Sequence, residues 1–247
     1  MDTLPRPRIL PARAARVCGM MRTSQQARCE VDVQPSKRPR TAEYDSLRIP
    51  QDCPRFKFCE ENVYPARFPF EFDCILPEEH ACEQNASANI ECMDCCKDCP
   101  NMRLQMSEWP ECIVRKTEER GFGYFAPEKG VPKNTAIGPY TGEVFHASQL
   151  TDSKKQVYIM QIDKKLYVDA KRKGHYTRFI NHSCAAPNCE VQKWYVRGYP
   201  CAGVFALRDI APGEELTFDY GVKFRDDKTF VCKCATCWPP APARSQP

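Results

Sequence analysis

The chain has 247 residues, of which 42% are hydrophobic, so it is long enough to bury a sizeable core. No apolar stretch approaches the roughly 20 residues that a membrane-spanning helix needs, which argues against a membrane protein. The formal net charge of +4 is too small to indicate nucleic-acid binding by itself.

Residues 1–48 combine an excess of Lys and Arg over Asp and Glu with several prolines and almost no aromatics. This composition predicts a disordered, basic arm. Within it, the run "SKRPR" at residues 36–40 could act as a nuclear import signal or contact an acidic partner. A weak contact with DNA and a simple solvated linker are equally open interpretations of so short a run.

The 17 cysteines are many for a chain of this length. Arginines and prolines interrupt the apolar residues at the N-terminus, which makes that segment a poor secretory signal. We therefore expect a reducing compartment, where clustered cysteines bind metal more often than they form disulfides.

Residues 49–112 contain the first cysteine block and few long apolar runs, so a bound metal would have to serve as its core. The C-x-x-C spacing predicts zinc, in one complete site or in two sites that share thiolates, with disulfides as the alternative. Cys112 is a further ligand candidate downstream. The candidate ligands in the block itself are Cys74, Cys82, Cys92, Cys95, Cys96 and Cys99.

Residues 113–224 alternate apolar and polar side chains over short segments such as "KLYVDA", "NCEVQKWYV" and "ELTFDY". Turn residues separate these segments. This period-two pattern predicts a mostly β domain with several small sheets and few helices. The segment "HASQLTDSKKQVY" at residues 146–158 could begin with one of them.

Residues 225–247 form the C-terminal segment. Its run "CKCATC" supplies Cys232, Cys234 and Cys237. Three thiolates are one ligand short of a closed tetrahedral zinc site. Either Cys184 or Cys189 could supply the fourth, and three unrelated thiols are the alternative. The last residues are rich in proline and are expected to be loose.

Four motifs occur in an order that resembles the SET-domain protein lysine methyltransferases. They are "GFG" (121–123), "YTGEV" (140–144), "RFINHSC" (178–184) and "GEELTFDY" (213–220). The two cysteine runs resemble the associated-with-SET and post-SET zinc modules of the branch that includes the nuclear receptor-binding SET-domain proteins. The resemblance implies a SET-domain fold of several small sheets, with a pseudoknot-like C-terminal segment and flanking zinc-binding cysteine modules.

The resemblance also implies an activity, the transfer of a methyl group from S-adenosylmethionine to a lysine of a histone tail or nucleosome. The cofactor would bind on one face of the domain, and the lysine would enter through a narrow channel from the opposite face. The implied cofactor-binding residues are Gly121, Phe122, Gly123, Tyr158, Arg178, Phe179, Asn181 and His182.

Tyr220 resembles the catalytic tyrosine of the family, and Tyr140 and Tyr158 match positions that line the lysine channel. Phe218 matches the position where phenylalanine leaves room for methylation beyond the first step. Taken individually, Tyr140, Tyr158 and Phe218 are more typical of ordinary strand packing.

Cys184 is the fourth post-SET ligand that the resemblance favours, giving one zinc site there and one or two in the preceding module. A nuclear, chromatin location follows from the same resemblance, whereas the oligomeric state does not. The alternative function is a SET-like chromatin scaffold with weak or lost turnover. The presence of Tyr220, Asn181 and His182 favours the enzyme over this alternative.

Overall fold

The computed structural model describes residues 49–65, 75, 77–78, 81–93, 99–106, 108–150, 157–221, 231–234 and 237. The predicted basic arm at residues 1–48 and the proline-rich end lie outside the described residues. So do residues 151–156, which belong to the segment 146–158 that could begin with a helix.

Short strands dominate the described residues, which confirms the prediction of a mostly β domain. The strands are β1 (Lys57–Phe58), β2 (Ile113–Lys116), β3 (Phe122–Phe125), β4 (Ala136–Tyr140), β5 (Glu143–His146), β6 (Ile159–Gln161), β7 (Leu166–Asp169), β8 (Lys173–Gly174), β9 (Asn181–His182), β10 (Cys189–Val196), β11 (Tyr199–Ala206) and β12 (Thr217–Phe218). Within the described ranges, the helical segments are α1 (Cys82–Ser87) and the 3₁₀ turns Ala147–Gln149 and Tyr176–Phe179.

The strands form several small sheets. An antiparallel sheet has the order β10-β11-β4, and a second has the order β5-β7-β6. A two-residue loop joins β10 to β11. Its residues, Arg197 at φ 53° and Gly198 at φ 83°, both adopt the left-handed conformation that tight hairpins require. Three two-stranded sheets, β2-β3, β1-β8 and β12-β9, complete the arrangement.

Apolar side chains from these sheets meet in one main core that includes Tyr124, Ile137, Tyr176 and Val204. The strand β4 is buried along its whole length, as expected for a strand covered on both faces. Cys112 lies in this apolar core, fully buried. Among the described residues it belongs to neither group of candidate metal ligands, so its role as a zinc ligand stays a prediction.

The pairing of β9 with β12 brings distant parts of the chain together. These strands run parallel, with Thr217 opposite Asn181 and Phe218 opposite His182. The amide of Ser183 donates to the carbonyl of Phe218 at 3.1 Å, which extends the contact by one residue. Two of the sequence motifs thus lie side by side, in the place where the resemblance predicts a pseudoknot-like segment.

The first cysteine block is attached to the β domain through backbone and apolar contacts. Ile90 forms a parallel bridge with Tyr195 of β10. Leu104 packs in a smaller core with Trp194 and Phe205.

In the described part of the chain, no helix has the length and apolar character needed to cross a membrane.

Candidate active site and metal centres

Tyr220 contacts the segment around β9 through both its side chain and its backbone. Its hydroxyl donates a hydrogen bond to the carbonyl oxygen of Ile180 at 2.8 Å. Its backbone amide donates to Nδ1 of His182 at 3.1 Å, and the two rings lie 5.2 Å apart. Burial raises the pKa of Tyr220, so the side chain is a neutral hydroxyl at physiological pH.

Two more tyrosines belong to the same neighbourhood. The hydroxyl of Tyr140, on β4, donates to the carbonyl of Tyr158 at 3.1 Å. Burial raises the pKa of Tyr140, and the nearby Tyr220 hydroxyl raises it further. Phe218 is buried with its ring centroid 4.9 Å from that of Tyr220. The structure therefore brings together the four aromatic residues that the sequence singled out.

Arg178 is buried among aromatic rings, and no carboxylate of the described residues forms an ion pair with it. Its guanidinium lies 3.9 Å from the ring centroid of Tyr158, 4.7 Å from that of Phe56 and 4.8 Å from that of Phe179. One of its nitrogens donates to the carbonyl of Lys171. Burial lowers the pKa of this guanidinium. These three rings form an aromatic wall, and the guanidinium stabilises it by cation–π attraction.

Asn181 and the "GFG" turn are in direct contact. The side-chain Nδ2 of Asn181 donates to the carbonyl of Phe122 at 3.1 Å. Gly121 has a φ of +74°, which favours glycine at this turn. Gly123 has no space for a side chain, since an added Cβ would lie 2.7 Å from Oε1 of Glu215.

Three charged residues of this region were missed by sequence reasoning. Glu215 accepts a hydrogen bond from Nδ2 of Asn181 at 2.8 Å and forms an ion pair with Arg120. A carboxylate oxygen of Asp219 lies 3.8 Å from Nδ1 of His182. Glu215 and Asp219 belong to the quoted "GEELTFDY" motif and Arg120 directly precedes "GFG", so their positions in those motifs were the available signal.

Four cysteines converge from two separate parts of the chain, and their sulfur atoms all lie within 4.8 Å of one another. They are Cys184, Cys232, Cys234 and Cys237. The Sγ of Cys184 lies 3.7 Å from those of Cys232 and Cys234 and 3.3 Å from that of Cys237. Thiolates bound about 2.3 Å from one zinc ion would be about 3.8 Å apart, so this group fits a tetrahedral site.

Cys189, the other candidate for the fourth ligand, lies elsewhere. It is buried in the main apolar core, where burial raises the pKa of its thiol to about 12. A thiol so reluctant to ionise is a poor metal ligand. The described geometry therefore favours Cys184 over Cys189.

Cys82, Cys92 and Cys99 form a second group, again with all sulfur atoms within 4.8 Å. Nδ2 of Asn101 lies 3.3 Å from the sulfur of Cys92, and Nδ2 of Asn85 lies 3.8 Å from it. Amide donors of this kind stabilise a thiolate, which supports metal binding. The remaining predicted ligands, Cys74, Cys95 and Cys96, lie outside the described residues.

The fold and the arranged motifs define a class of protein. Residues 121–221 match the family model of the SET domain, so this part of the chain is a SET domain. The match includes the "GFG", "RFINHSC" and "GEELTFDY" motifs and all four aromatic residues of the site.

The chain is also similar to curated proteins. One relative is the histone-lysine N-methyltransferase, H3 lysine-36 specific, of Schizosaccharomyces pombe. The chain is 38% identical to it over 162 residues, and this aligned region covers 61% of the chain and 20% of the relative. The chain is 33% identical over 205 residues to the histone-lysine N-methyltransferase Set2 of Drosophila melanogaster, covering 74% of this chain and 9% of the relative. The variant-silencing SET domain-containing protein of Plasmodium falciparum is 36% identical over 212 residues, covering 73% of this chain and 8% of the relative. The chain thus spans a fifth or less of the length of these relatives.

Proposed function

We propose that this chain is a protein-lysine N-methyltransferase that uses S-adenosylmethionine and acts on a histone H3 tail in chromatin. The observation that carries the proposal is the parallel pairing of β9 and β12. This pairing sets Tyr220 against His182 and Ile180 and beside the buried Tyr140. The names of the curated relatives support histone H3 as the substrate and a nuclear location.

The residues near "GFG" fit the proposed cofactor. The backbone at Gly121 and Gly123 permits a close approach, and the Oδ1 of Asn181 is available as an acceptor. Phe122, Asn181 and His182 would hold S-adenosylmethionine, together with the aromatic wall that Arg178 and Tyr158 form. When bound, this cofactor supplies an activated methyl group on a sulfonium, and its neutral thioether departs without an acid.

The substrate lysine must lose a proton before it can attack. With a usual pKa of about 10.4, less than roughly 0.1% of a solvated lysine is neutral at pH 7. Tyr140, Tyr158 and Phe218 would surround the amine with aromatic groups and exclude water. Desolvation disfavours the ammonium form, so the pKa of the amine falls and its lone pair becomes available.

Tyr220 would orient the amine rather than deprotonate it. Its raised pKa argues against a tyrosinate base. Because its proton is donated to the carbonyl of Ile180, its oxygen would take the acceptor role toward the incoming amine. Holding nitrogen, methyl carbon and sulfur in line then supplies most of the acceleration.

We further propose that both cysteine groups bind structural zinc. The group around Cys184 supplies four thiolates and would connect the C-terminal segment to the residues that follow β9. In the first block, Cys82, Cys92 and Cys99 supply three, and the fourth ligand would come from Cys74, Cys95 or Cys96.

Methyl transfer from labelled S-adenosylmethionine tests the function directly. Because the names of two relatives specify H3 lysine-36, we propose this lysine as the target. Nucleosomes with wild-type histone H3 should then be labelled, and nucleosomes whose H3 lysine-36 is replaced by arginine should not. Mass spectrometry of the product would count the methyl groups, and Phe218 leads us to expect more than one. Cofactor binding without any transfer would instead support the scaffold alternative.

A further inference from the structure

Glu215 connects the motifs that build the proposed cofactor site. Its side chain is only 16% exposed. One carboxylate oxygen accepts a hydrogen bond from Nδ2 of Asn181 at 2.8 Å, and the other forms the ion pair with Arg120. Glu215 also forms an antiparallel bridge with Phe125 of β3. The proposed chemistry assigns this partly buried carboxylate no role.

The hydrogen bonds of Asn181 fix which way its amide faces. Nδ2 uses both of its protons, one toward the carbonyl of Phe122 and one toward Glu215. Because both neighbours are acceptors, the opposite amide orientation would set oxygen against oxygen. The Oδ1 of Asn181 therefore faces away from them, and no residue in the described ranges donates to it.

We propose that Glu215 is a positioning residue for S-adenosylmethionine, which it affects through Asn181. By accepting one amide proton, it holds the Oδ1 of Asn181 as an acceptor for a hydrogen-bond donor of the cofactor. The ion pair with Arg120 fixes the position of the carboxylate. This inference rests on the function proposed above.

A carboxylate suits this role better than an amide. If glutamine replaced Glu215, its oxygen would face Arg120 and its NH₂ group would face Nδ2 of Asn181. Two donors would then oppose each other, and Asn181 would turn or leave the carbonyl of Phe122. Gly123 fits the same arrangement, since a larger residue there would occupy the space of the carboxylate.

The variant Glu215→Gln tests the assignment through cofactor affinity. We expect the Kd for S-adenosylmethionine, measured by calorimetry, and its KM to rise about tenfold, while kcat changes less than about twofold. Arg120→Ala, on a more exposed residue, should raise the Kd several-fold by releasing the carboxylate. The matched control is Glu214→Gln, because the adjacent Glu214 pairs with Arg208 and Asn188 instead. It should leave the Kd unchanged.

A double-mutant cycle separates an effect through Asn181 from a direct one. In an Asn181→Ala background, Glu215→Gln should cause no further loss of affinity. A full tenfold loss in that background would overturn the proposal, as would a Glu215→Gln variant that only lowers Tm. Wild-type protein that fails to bind S-adenosylmethionine would refute the proposed function itself. Binding and transfer with an unaffected Glu215→Gln variant would refute this inference alone.

Discussion

Tyr220 illustrates how one side chain can serve both the fold and the proposed chemistry. Its hydroxyl hydrogen points to the carbonyl of Ile180, and its backbone amide bonds His182. Both bonds hold the ring in place before any ligand arrives, which lowers the entropic cost of reaching the reactive geometry. A well-held hydroxyl is therefore expected to matter more for rate than for stability.

Tyr220→Phe should reduce methyl transfer by roughly 100-fold or more, because the oriented oxygen is lost. The ring still fills its space beside Phe218, so unfolding should become easier by only about 1 kcal/mol. Initial rates with labelled cofactor and thermal unfolding measure the two effects. Unchanged affinity for S-adenosylmethionine is the control, and a variant with wild-type turnover would disprove the assigned role.

The sequence was enough to predict which residues belong to the candidate site, but not which side chains contact each other there. The motif order pointed to Asn181, His182 and Tyr220. It gave no sign that the Asn181 side chain bonds Glu215 and the carbonyl of Phe122, or that aromatic rings surround the Arg178 guanidinium. Such pairings depend on side chains brought together from distant segments, and local sequence patterns carry no record of those contacts.

At the scale of elements, the short strands β9 and β12 have few backbone bonds of their own and need support at their ends. Residues after β9 contribute Cys184 to the sulfur group, whose other members lie in the C-terminal segment. At the other end, the turn before β12 is held by Glu214, whose carboxylate accepts bonds from Arg208, Asn188 and the amide of Ala211.

Cys184→Ala should release one zinc ion and abolish transfer, because three thiolates bind the metal far more weakly than four. The main core does not include these cysteines, so far-ultraviolet circular dichroism should keep its β signal. The zinc content of each variant is measured by inductively coupled plasma mass spectrometry. Cys201→Ala, at a thiol outside both groups, should retain full zinc and activity. Equal zinc content in the two variants would contradict this assignment.

The lowered pKa of Glu214 predicts that the stability of the fold depends on pH. Hydrogen bonding from Arg208 lowers its pKa from an ordinary 4.5 to about 2. The folded state thus favours the carboxylate, and its stabilisation is fully present above about pH 4.5 and disappears as the pH falls toward 2. The Tm difference between wild type and Glu214→Gln should accordingly be constant from pH 7 to 5 and shrink below that. A difference that grows on acidification would show that the sign is wrong.

For the molecule as a whole, alternating patterns were enough to predict small sheets, and cysteine spacing was enough to predict clustered thiols. The spacing could not show that Cys112 belongs to the apolar core, because a buried thiol and a metal ligand look alike in a sequence. Nor could it choose between Cys184 and Cys189. That choice depends on how β10 starts, with Cys189 buried at its first position.

The two cysteine groups are expected to serve different parts of the molecule. Cys82, Cys92 and Cys99 lie in a block that contacts the β domain through Ile90 and Leu104. Leu104 packs in the smaller core, whereas Tyr220 packs against the main one. Cys99→Ala should therefore remove zinc from this block and lower Tm, yet leave the affinity for S-adenosylmethionine within about twofold of wild type. Native mass spectrometry and calorimetry provide the readouts, with Cys184→Ala as the reciprocal comparison. A Cys99→Ala protein with its full zinc content would show that this thiol is not a ligand.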